Sequence, residues 1–324
     1  MSSEKFWEVL QTHDLLVAEG PDALSMELLT GGFWNQVYRL RSKENTHIDW
    51  VVKQFVKVPT NPMFPILPTS EYAALRFLQE HECAPKPVAF IADSPVGHLL
   101  VYEYVKGSSW NGDLRAAATL LARVQSIPID DFAMHAFRKL PTDAPDLLNH
   151  ADEMLNRHHG ALSDRVHKFR PRISTSFNRP NHSGVLVHTD CGPGNMVSSP
   201  CGLRLIDWQC PGIGDGLQDV VTFLSPAMQI LYGYPVLTDV QEQQFLASYF
   251  SALADHSPDV QAAQEALERL QSSRSSHHYR FAAYCAMRAQ DTAATDGKTS
   301  HLYHVALDAE INVLQRLSSS GLPV

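Results

Sequence analysis

The feature that most constrains the fold is a change in hydrophobic pattern near Lys106 and Gly107. Before this point the apolar residues form short runs that glycine and proline interrupt, whereas after it they recur at helical spacing over long stretches. Strands followed by helices, rather than strands alternating with helices, are typical of α+β folds. We therefore predict an α+β protein with two domains, residues 1–105 and residues 106–324.

The first domain is predicted to contain an antiparallel sheet and one helix. MELLTGGFWNQVYRLRS indicates a hairpin with Gly31 and Gly32 in its turn, and DWVVKQFV indicates a third strand. A loop with four prolines follows, and Ser70 is expected to cap the helix SEYAALRFLQEH. APKPVAFIADSPVGHLLVYEYVKG predicts two more strands.

The second domain is predicted to be mostly helical. The segments with helical spacing are DLRAAATLLARVQSI, DLLNHADEMLNRHHGALSDRVHKF, DVVTFLSPAMQILYG, EQQFLASYFSALA, AAQEALERL, RFAAYCAMRAQ and HVALDAEINVLQRL. We expect a turn at QSSRSSHHY and a flexible loop at TAATDGKTS. Two short apolar runs, GVLVH and LRLIDW, interrupt the helices and predict a small pair of strands with polar residues at their ends.

Composition limits the partners that the protein can bind. The chain has 26 Lys and Arg against 35 Asp and Glu, a formal charge of −9, which argues against nucleic acid and anionic membranes and favours a neutral or cationic partner. The segment MSSEKFWEVLQTHDLL indicates neither a signal peptide nor a membrane span, so we expect a cytoplasmic protein. Five widely spaced cysteines predict reduced thiols, and their separations fit no common zinc site.

The strongest chemical signal is a cluster of oxygen ligands around the two short strands. Asp190 and Asn195 are separated by a Gly-Pro-Gly turn that can bring both side chains together, and Asp207 ends the next strand. Carboxylate and amide oxygens suit Mg²⁺, and a carboxylate beside an attacking hydroxyl suits phosphoryl transfer. Asp and Asn are also common turn residues, so this motif alone is weak.

Residues upstream supply the other parts of a phosphate site. Gly31 and Gly32 leave backbone N–H groups able to approach phosphate oxygens, while Lys53 interrupts the apolar strand VVKQF. Glu71 at the start of the next helix can orient Lys53 through an ion pair. The structural alternative is that Lys53 faces solvent on an edge strand and that Glu71 merely favours the helix dipole.

With these residues together, the chain resembles the aminoglycoside phosphotransferase and choline kinase family, small-molecule kinases related in fold to protein kinases. The most specific segments of the resemblance are HTDCGPGN, LIDWQ and GDGLQD. The chain departs from protein kinases because its glycine turn is GGFWN rather than GxGxxG, and because Asp207 precedes Trp and Gln rather than Phe and Gly. The resemblance implies a two-lobe, protein-kinase-like fold with a nucleotide-binding first lobe and a helical second lobe that holds the catalytic loop and the substrate site.

The resemblance also implies a role for each site residue. Asp190 would be the catalytic base, and Asn195 and Asp207 would be ligands of Mg²⁺. ATP, or GTP as the alternative, would be held by Gly31, Gly32, Lys53, Glu71, Glu103 and Val105, the last two in a hinge segment. Three further residues would support the loop and the following helix: His188, Asp215 and Asp219.

The acceptor is the least defined part of the prediction. The resemblance implies a small molecule with a hydroxyl group, either an amino alcohol or a sugar, an amino sugar or an aminoglycoside. Aromatic residues of the last helices either surround a cation or form core, and the helical spacing favours core. Trp208 and Gln209 are expected near the transferred group.

Two other functional classes compete with a small-molecule kinase. A catalytically silent, nucleotide-binding regulatory relative is disfavoured because the set of catalytic residue types is complete. A protein kinase is disfavoured because no APE-like segment follows Asp207. The sequence leaves the oligomeric state undetermined.

Overall fold

The computed structural model describes residues 3–16, 20–29, 35–56, 61–175, 184–256 and 260–319. Its strands are β1 (Leu24–Leu28), β2 (Asn35–Ser42), β3 (Asp49–Phe55), β4 (Pro87–Ser94), β5 (Gly97–Glu103), β6 (Ser108–Ser109), β7 (Arg138–Lys139), β8 (Val185–Val187), β9 (Met196–Ser199), β10 (Gly202–Leu205) and β11 (Gly212–Gly214). Its α-helices are α1 (Ser3–Thr12), α2 (Pro68–Leu78), α3 (Leu114–Gln125), α4 (Asp131–Ala136), α5 (Ala144–Leu155), α6 (Ala161–His167), α7 (Leu217–Leu224), α8 (Pro226–Leu231), α9 (Asp239–His256), α10 (Val260–Thr292) and α11 (Gly297–Ser319).

The chain forms two compact units. Unit 1 comprises Met1–Ser108 together with Val197–Pro211, and unit 2 comprises Ser109–Met196 together with Gly212–Val324. The antiparallel sheet lies in unit 1 and the long helices α9, α10 and α11 lie in unit 2. The predicted α+β class is confirmed.

Unit 1 is built on a five-stranded antiparallel sheet in the order β1-β2-β3-β5-β4. The predicted hairpin is confirmed by the pairing of β1 with β2, but its turn, with Gly31 and Gly32, lies outside the described residues. Alternation along β3 directs successive side chains to opposite faces. One face packs on α1 through a core that includes Phe6, Leu10 and Val52.

The start of α2 differs from the prediction. The helix begins at Pro68, so Ser70 lies within its first turn and does not cap it. Proline fits the first helical position because its φ is already helical and no N–H donor is needed there. The preceding Leu67 donates its backbone N–H to the Gln209 carbonyl oxygen at 2.9 Å, which joins the helix start to the segment after β10.

Side-chain caps define several helices of unit 2. Asp113 accepts from the Ala116 N–H at the start of α3, Asp143 accepts from the Asp146 N–H at the start of α5, and both distances are 2.9 Å. The aromatic residues of the last helices pack in the core, where Tyr249, Tyr279 and Phe281 are at most 2% exposed. The preference for core over an exposed aromatic surface therefore holds for these three residues.

The expected turn at QSSRSSHHY is wrong, because α10 runs through it without interruption from Val260 to Thr292. Serine has low helix propensity, but Ser273, Ser276 and His278 are buried here. Packing of α10 against α5 and α11 outweighs the local preference. The expected loop at TAATDGKTS is also shorter than predicted, since Asp296 caps α11 through the Thr299 N–H at 3.0 Å.

The two short strands beside the HTDCGPGN motif form as predicted, but they do not pair with each other. β8 pairs with β11 in a sheet of order β7-β11-β8, while β10 pairs with β9 in a sheet of order β10-β9-β6. Each therefore finds its partner in a segment whose weak local signal was not recognised.

All five cysteines are free thiols, as predicted. In the part of the chain that the structure describes, no helix has both the length and the apolar character needed to cross a bilayer.

Candidate active site

Unit 1 contains a buried ion pair between β3 and α2. Lys53 lies on β3, which has β2 on one side and β5 on the other, so the edge-strand alternative is wrong. Its Nζ donates to Glu71 Oε1 at 2.9 Å and to Oε2 at 2.7 Å. The two residues are 2% and 1% exposed, so the pair is shielded from water.

Asp207 joins this pair from the segment after β10. Its Oδ1 accepts a further hydrogen bond from Lys53 Nζ, while the Asp207 side chain remains 36% exposed. The backbone of Asp207 has a φ of 62°, a left-handed conformation that non-glycine residues seldom adopt. The chain therefore presents a partly exposed carboxylate beside a buried ammonium group.

The charge of Lys53 is fixed by these neighbours. Burial alone would lower the pKa of Lys53, but the carboxylates of Asp207 and Glu71 together raise it above the usual lysine value. Burial raises the pKa of Glu71 to about 7, although Lys53 opposes that shift. Lys53 is consequently a permanent cation directed at Asp207.

In unit 2, Asp219 holds the start of the HTDCGPGN loop. Its carboxylate oxygens accept the backbone N–H groups of His188 and Thr189, each at 2.8 Å. Thr189 has a φ of 71°, which is unfavourable for a β-branched residue. Burial raises the pKa of Asp219 to about 6, and the two backbone hydrogen bonds oppose the rise. Asp219 therefore stabilises a strained turn immediately before Asp190.

His188 is buried and contacts the loop backbone. Its Nδ1 accepts the Asp190 N–H at 3.2 Å. This contact fits the supporting role implied for His188, which stays a prediction.

Asp190 and Asn195 flank the segment Cys191-Gly192-Pro193-Gly194, and both are at least nine-tenths buried. Asn195 Nδ2 donates to the Asp190 carbonyl oxygen at 2.7 Å and to Tyr232 Oη at 2.7 Å. Tyr232 Oη in turn donates to Asp190 Oδ1 at 2.7 Å. Sequence reasoning missed Tyr232, because no local pattern links the segment LYGYP to a loop about forty residues earlier.

Asp215 acts at the start of α7. Its Oδ1 accepts the Leu217 N–H at 3.1 Å, and its Oδ2 accepts from Arg269 Nε of α10 at 3.2 Å. The structure thus gives Asp215 a helix-terminal contact and Asp219 a contact with the loop.

The structure describes only some of the other residues that are predicted to contact the nucleotide. Gly31 and Gly32 lie outside the described residues. In the hinge segment, the Glu103 N–H donates to the Lys86 carbonyl oxygen at 2.8 Å, so that N–H is already engaged within unit 1. Val105 follows the end of β5 and is half-buried.

Trp208, which is expected near the transferred group, has its side chain in the core of the protein. Its side chain is fully buried, and its Nε1 donates to the Leu205 carbonyl oxygen at 2.9 Å. It therefore presents no surface to a ligand.

The side chains present fit magnesium better than a softer metal. Both amide hydrogens of Asn195 are engaged, so its Oδ1 is the group left to act as a ligand. Asn195 Oδ1 in unit 2 and the Asp207 carboxylate in unit 1 are each oxygen donors of the kind that Mg²⁺ prefers. Among the residues that the structure describes, no group of three or more His, Cys, Asp or Glu is arranged to hold a metal ion.

Comparison with known proteins supports the resemblance. The sequence model of the phosphotransferase enzyme family matches residues 25–254, more than two thirds of the chain. None of the curated proteins compared with the chain matches it significantly.

Many solved structures share the fold, and three of them illustrate the similarity. A choline kinase from Cryptosporidium parvum is 15% identical with a TM-score of 0.70, and 99% of this chain and 98% of that chain are covered. An ethanolamine kinase from Plasmodium vivax is 12% identical with a TM-score of 0.66, over 96% and 90% of the two chains. A spectinomycin phosphotransferase, solved with ADP and spectinomycin, is 11% identical with a TM-score of 0.58, over 90% and 92%. The predicted protein-kinase-like fold is confirmed by these neighbours.

Proposed function

Because the chain belongs to the phosphotransferase enzyme family, we propose that it transfers the γ-phosphoryl group of Mg-ATP to a hydroxyl group of a small molecule. The observation that carries the proposal is the buried Lys53–Glu71 pair with the partly exposed Asp207 carboxylate beside it. A buried, oriented ammonium group next to a candidate metal ligand suits polyphosphate binding.

In this proposal the residues of unit 1 bind the nucleotide. Lys53 holds phosphate oxygens, and Glu71 fixes the direction of its ammonium group. Gly31, Gly32, Glu103 and Val105 are proposed nucleotide contacts on the family pattern alone. GTP is the alternative nucleotide.

Magnesium, when bound, would neutralise phosphate charge, with Asn195 and Asp207 as its proposed protein ligands. Asp190 orients the acceptor hydroxyl and takes its proton as the new phosphorus–oxygen bond forms and the bond between the γ-phosphorus and the bridging oxygen breaks to release ADP. His188 and Asp219 hold the loop that carries Asp190, and Asp215 supports the following helix. Their contribution is geometry rather than proton transfer.

The acceptor is proposed to be a neutral or cationic molecule with a hydroxyl group. The formal charge of −9 disfavours anionic acceptors, and the named neighbours act on choline, ethanolamine and spectinomycin. An amino alcohol and a sugar or aminoglycoside remain the two candidate classes.

A silent regulatory relative is the second reading. It would bind a nucleotide without turnover, and the presence of Lys53, Glu71, Asp190, Asn195 and Asp207 argues against it. The two readings differ in a single observable, which is acceptor-stimulated ADP formation.

The experiment is Mg²⁺-dependent ADP or GDP release measured with choline, ethanolamine, homoserine, hexoses, amino sugars and aminoglycosides as acceptors. Asp190→Ala serves as the blank, and Asp146→Ala serves as a matched control because Asp146 is exposed at the start of α5. We expect stimulation by one acceptor class in wild type and in Asp146→Ala, and none in Asp190→Ala. Nucleotide binding without stimulation by any acceptor would support the silent relative, and no nucleotide binding would remove both readings.

A further inference from the structure

Tyr232 is the one tyrosine that contacts both Asp190 and Asn195 in the described residues. It follows α8 directly, and its Oη lies 2.7 Å from Asp190 Oδ1 and 2.7 Å from Asn195 Nδ2. No residue role in the proposed function accounts for it.

The direction of these hydrogen bonds decides what Tyr232 does. The phenol has one proton, and it donates that proton to Asp190 Oδ1. It therefore meets Asn195 as an acceptor and receives one amide proton, while the Asp190 carbonyl oxygen receives the other. The phenol thus limits rotation of the Asp190 carboxylate and directs the Asn195 amide oxygen away from itself.

The aromatic ring is fitted to the turn between these two residues. A Cβ atom on Gly192 would lie 2.2 Å from Tyr232 Cε2, and one on Gly194 would lie 2.1 Å from Cδ1. The ring can approach the backbone this closely only because both positions are glycine. The ring therefore packs directly on the two glycines of the motif.

The helix that carries Tyr232 is itself anchored. Ser225 caps α8 and donates to Glu310 Oε1 of α11 at 2.5 Å, and Glu310 Oε2 lies 2.7 Å from His278 Nδ1 of α10. These groups are fully buried or nearly so. Tyr232 therefore follows a helix whose first turn is held by buried hydrogen bonds to α11.

We propose that Tyr232 is a positioning residue for phosphoryl transfer, which holds the Asp190 carboxylate and keeps the Asn195 amide oxygen directed toward the metal. The inference rests on the proposed function of the same loop. A phenol that is hydrogen-bonded to Asp190 and Asn195 and packed on two glycines stabilises the shape of the loop. This role differs from blocking the access of the acceptor.

The decisive variant is Tyr232→Phe, which keeps the ring packed on the two glycines and removes the hydroxyl group. We expect kcat to fall on the order of 10- to 100-fold while the KM for the nucleotide stays within about twofold, since lost orientation costs rate more than binding. Tyr234→Phe is the matched control, because Tyr234 is two residues away and its ring packs on Trp110. It should leave kcat unchanged.

A second measurement does not depend on turnover. Mn²⁺ is titrated into the ADP complex and followed by electron paramagnetic resonance, and we expect Tyr232→Phe to weaken Mn²⁺ binding on the order of tenfold, as for other partners of metal ligands. Thermal unfolding of each variant identifies loss of the fold. Gly194→Ala, which displaces the ring by another route, should weaken Mn²⁺ binding in the same direction.

Two results would overturn the inference. One is a Tyr232→Phe protein with wild-type kcat and wild-type Mn²⁺ affinity, and the other is an increase in kcat, which would show that the phenol obstructs the acceptor. If wild type transfers no phosphoryl group to any acceptor, the proposed function fails, and the Mn²⁺ titration still decides the role of Tyr232.

Discussion

At the scale of single residues, one ammonium group donates hydrogen bonds to three carboxylate oxygens. Lys53 Nζ bonds both oxygens of Glu71 and one oxygen of Asp207. The pair with Glu71 is almost completely buried, so each charge depends on the other for its solvation. Breaking the pair from one side should therefore cost more stability than replacing both members.

Lys53→Met should lower the free energy of unfolding by about 3 kcal/mol, because the Glu71 carboxylate would be left buried without its partner. The double variant Lys53→Met, Glu71→Gln should recover most of that loss. The affinity for ATP should be lower than in wild type for the single variant and for the double variant. Urea unfolding and ATP titration measure the two effects. A single variant as stable as the double variant would show that the pair is not shielded from water.

Asp219→Asn tests the support of the strained loop. The carboxylate accepts two backbone N–H groups, but the amide offers one oxygen and sets an NH₂ group against the second donor. We expect a loss of about 1 to 3 kcal/mol in stability and a lower kcat. Asp146→Asn, at an exposed position, is the control for urea unfolding. Equal stability of the two variants would contradict the role of Asp219.

The sequence predicts which residues carry charge better than it predicts their contacts. Lys53 and Glu71 were paired correctly because a lysine inside an apolar strand needs a nearby acid. Tyr232 could not be predicted, since its contact with Asp190 depends on how α8 packs against the loop. Gly192 and Gly194 gave the available signal, because paired glycines often mark a close approach by another group.

At the scale of elements, α10 shows how packing outweighs local preference. Its buried polar residues are concentrated in one stretch and lie on several faces of the helix: Ser273, Ser275, Ser276, His277, His278 and Arg280. Arg269 is paired with Asp215, whereas Nε and Nη1 of Arg280 have no hydrogen-bond partner among the described residues. Burial, with Arg138 nearby, lowers the pKa of Arg280 to about 10.

Substitution of these two arginines should change the free energy of unfolding in opposite directions. Arg280→Met should leave the free energy of unfolding unchanged or raise it by about 1 to 3 kcal/mol, because an apolar chain of similar length replaces a buried cation whose Nε and Nη1 have no hydrogen-bond partner in the described part of the chain. Arg269→Met should lower it, because Asp215 loses its partner. Unfolding of both variants in guanidinium chloride measures the sign of the change in the free energy of unfolding. A marked loss of stability in Arg280→Met would show that this guanidinium group is satisfied in solution.

His277 makes the helix sensitive to acid. Burial, together with Arg280 and His278, lowers the pKa of His277 to about 3, against about 6.5 in an unfolded chain. Between these values the unfolded state binds one more proton, so the free energy of unfolding falls by up to about 1.4 kcal/mol per pH unit as the pH drops below 6.5. His277→Gln should flatten this dependence between pH 6.5 and pH 4. An equally steep profile in the variant would assign the acid sensitivity to other groups.

The same helix explains where prediction of elements failed. Periodicity predicts the two end segments of α10, but the local preference of the serines and histidines between them favours a turn. The paired strands β8 and β11 were only half recognised, because GIG is too short and too small to give a strand pattern. Both errors arise where tertiary contacts decide the local structure.

At the scale of the whole molecule, the order of strands and helices predicts the α+β class, and the family resemblance of the HTDCGPGN, LIDWQ and GDGLQD segments predicts the kinase-like fold. The chain aligns with a choline kinase over nearly its whole length at only 15% identity, so the architecture tolerates replacement of most side chains. For that reason the fold does not identify the acceptor. The acceptor class depends on residues that differ between relatives sharing the fold.

The measurement that tests the central claim most directly is ³¹P nuclear magnetic resonance of the protein with Mg-ATP and the acceptor that stimulates ADP release. We predict that ATP is converted to ADP and one new phosphomonoester in equal amounts, with inorganic phosphate at background, and that Asp190→Ala forms neither product. ATP consumption that yields inorganic phosphate in place of a phosphomonoester, or a phosphomonoester formed at the wild-type rate by Asp190→Ala, would contradict the claim.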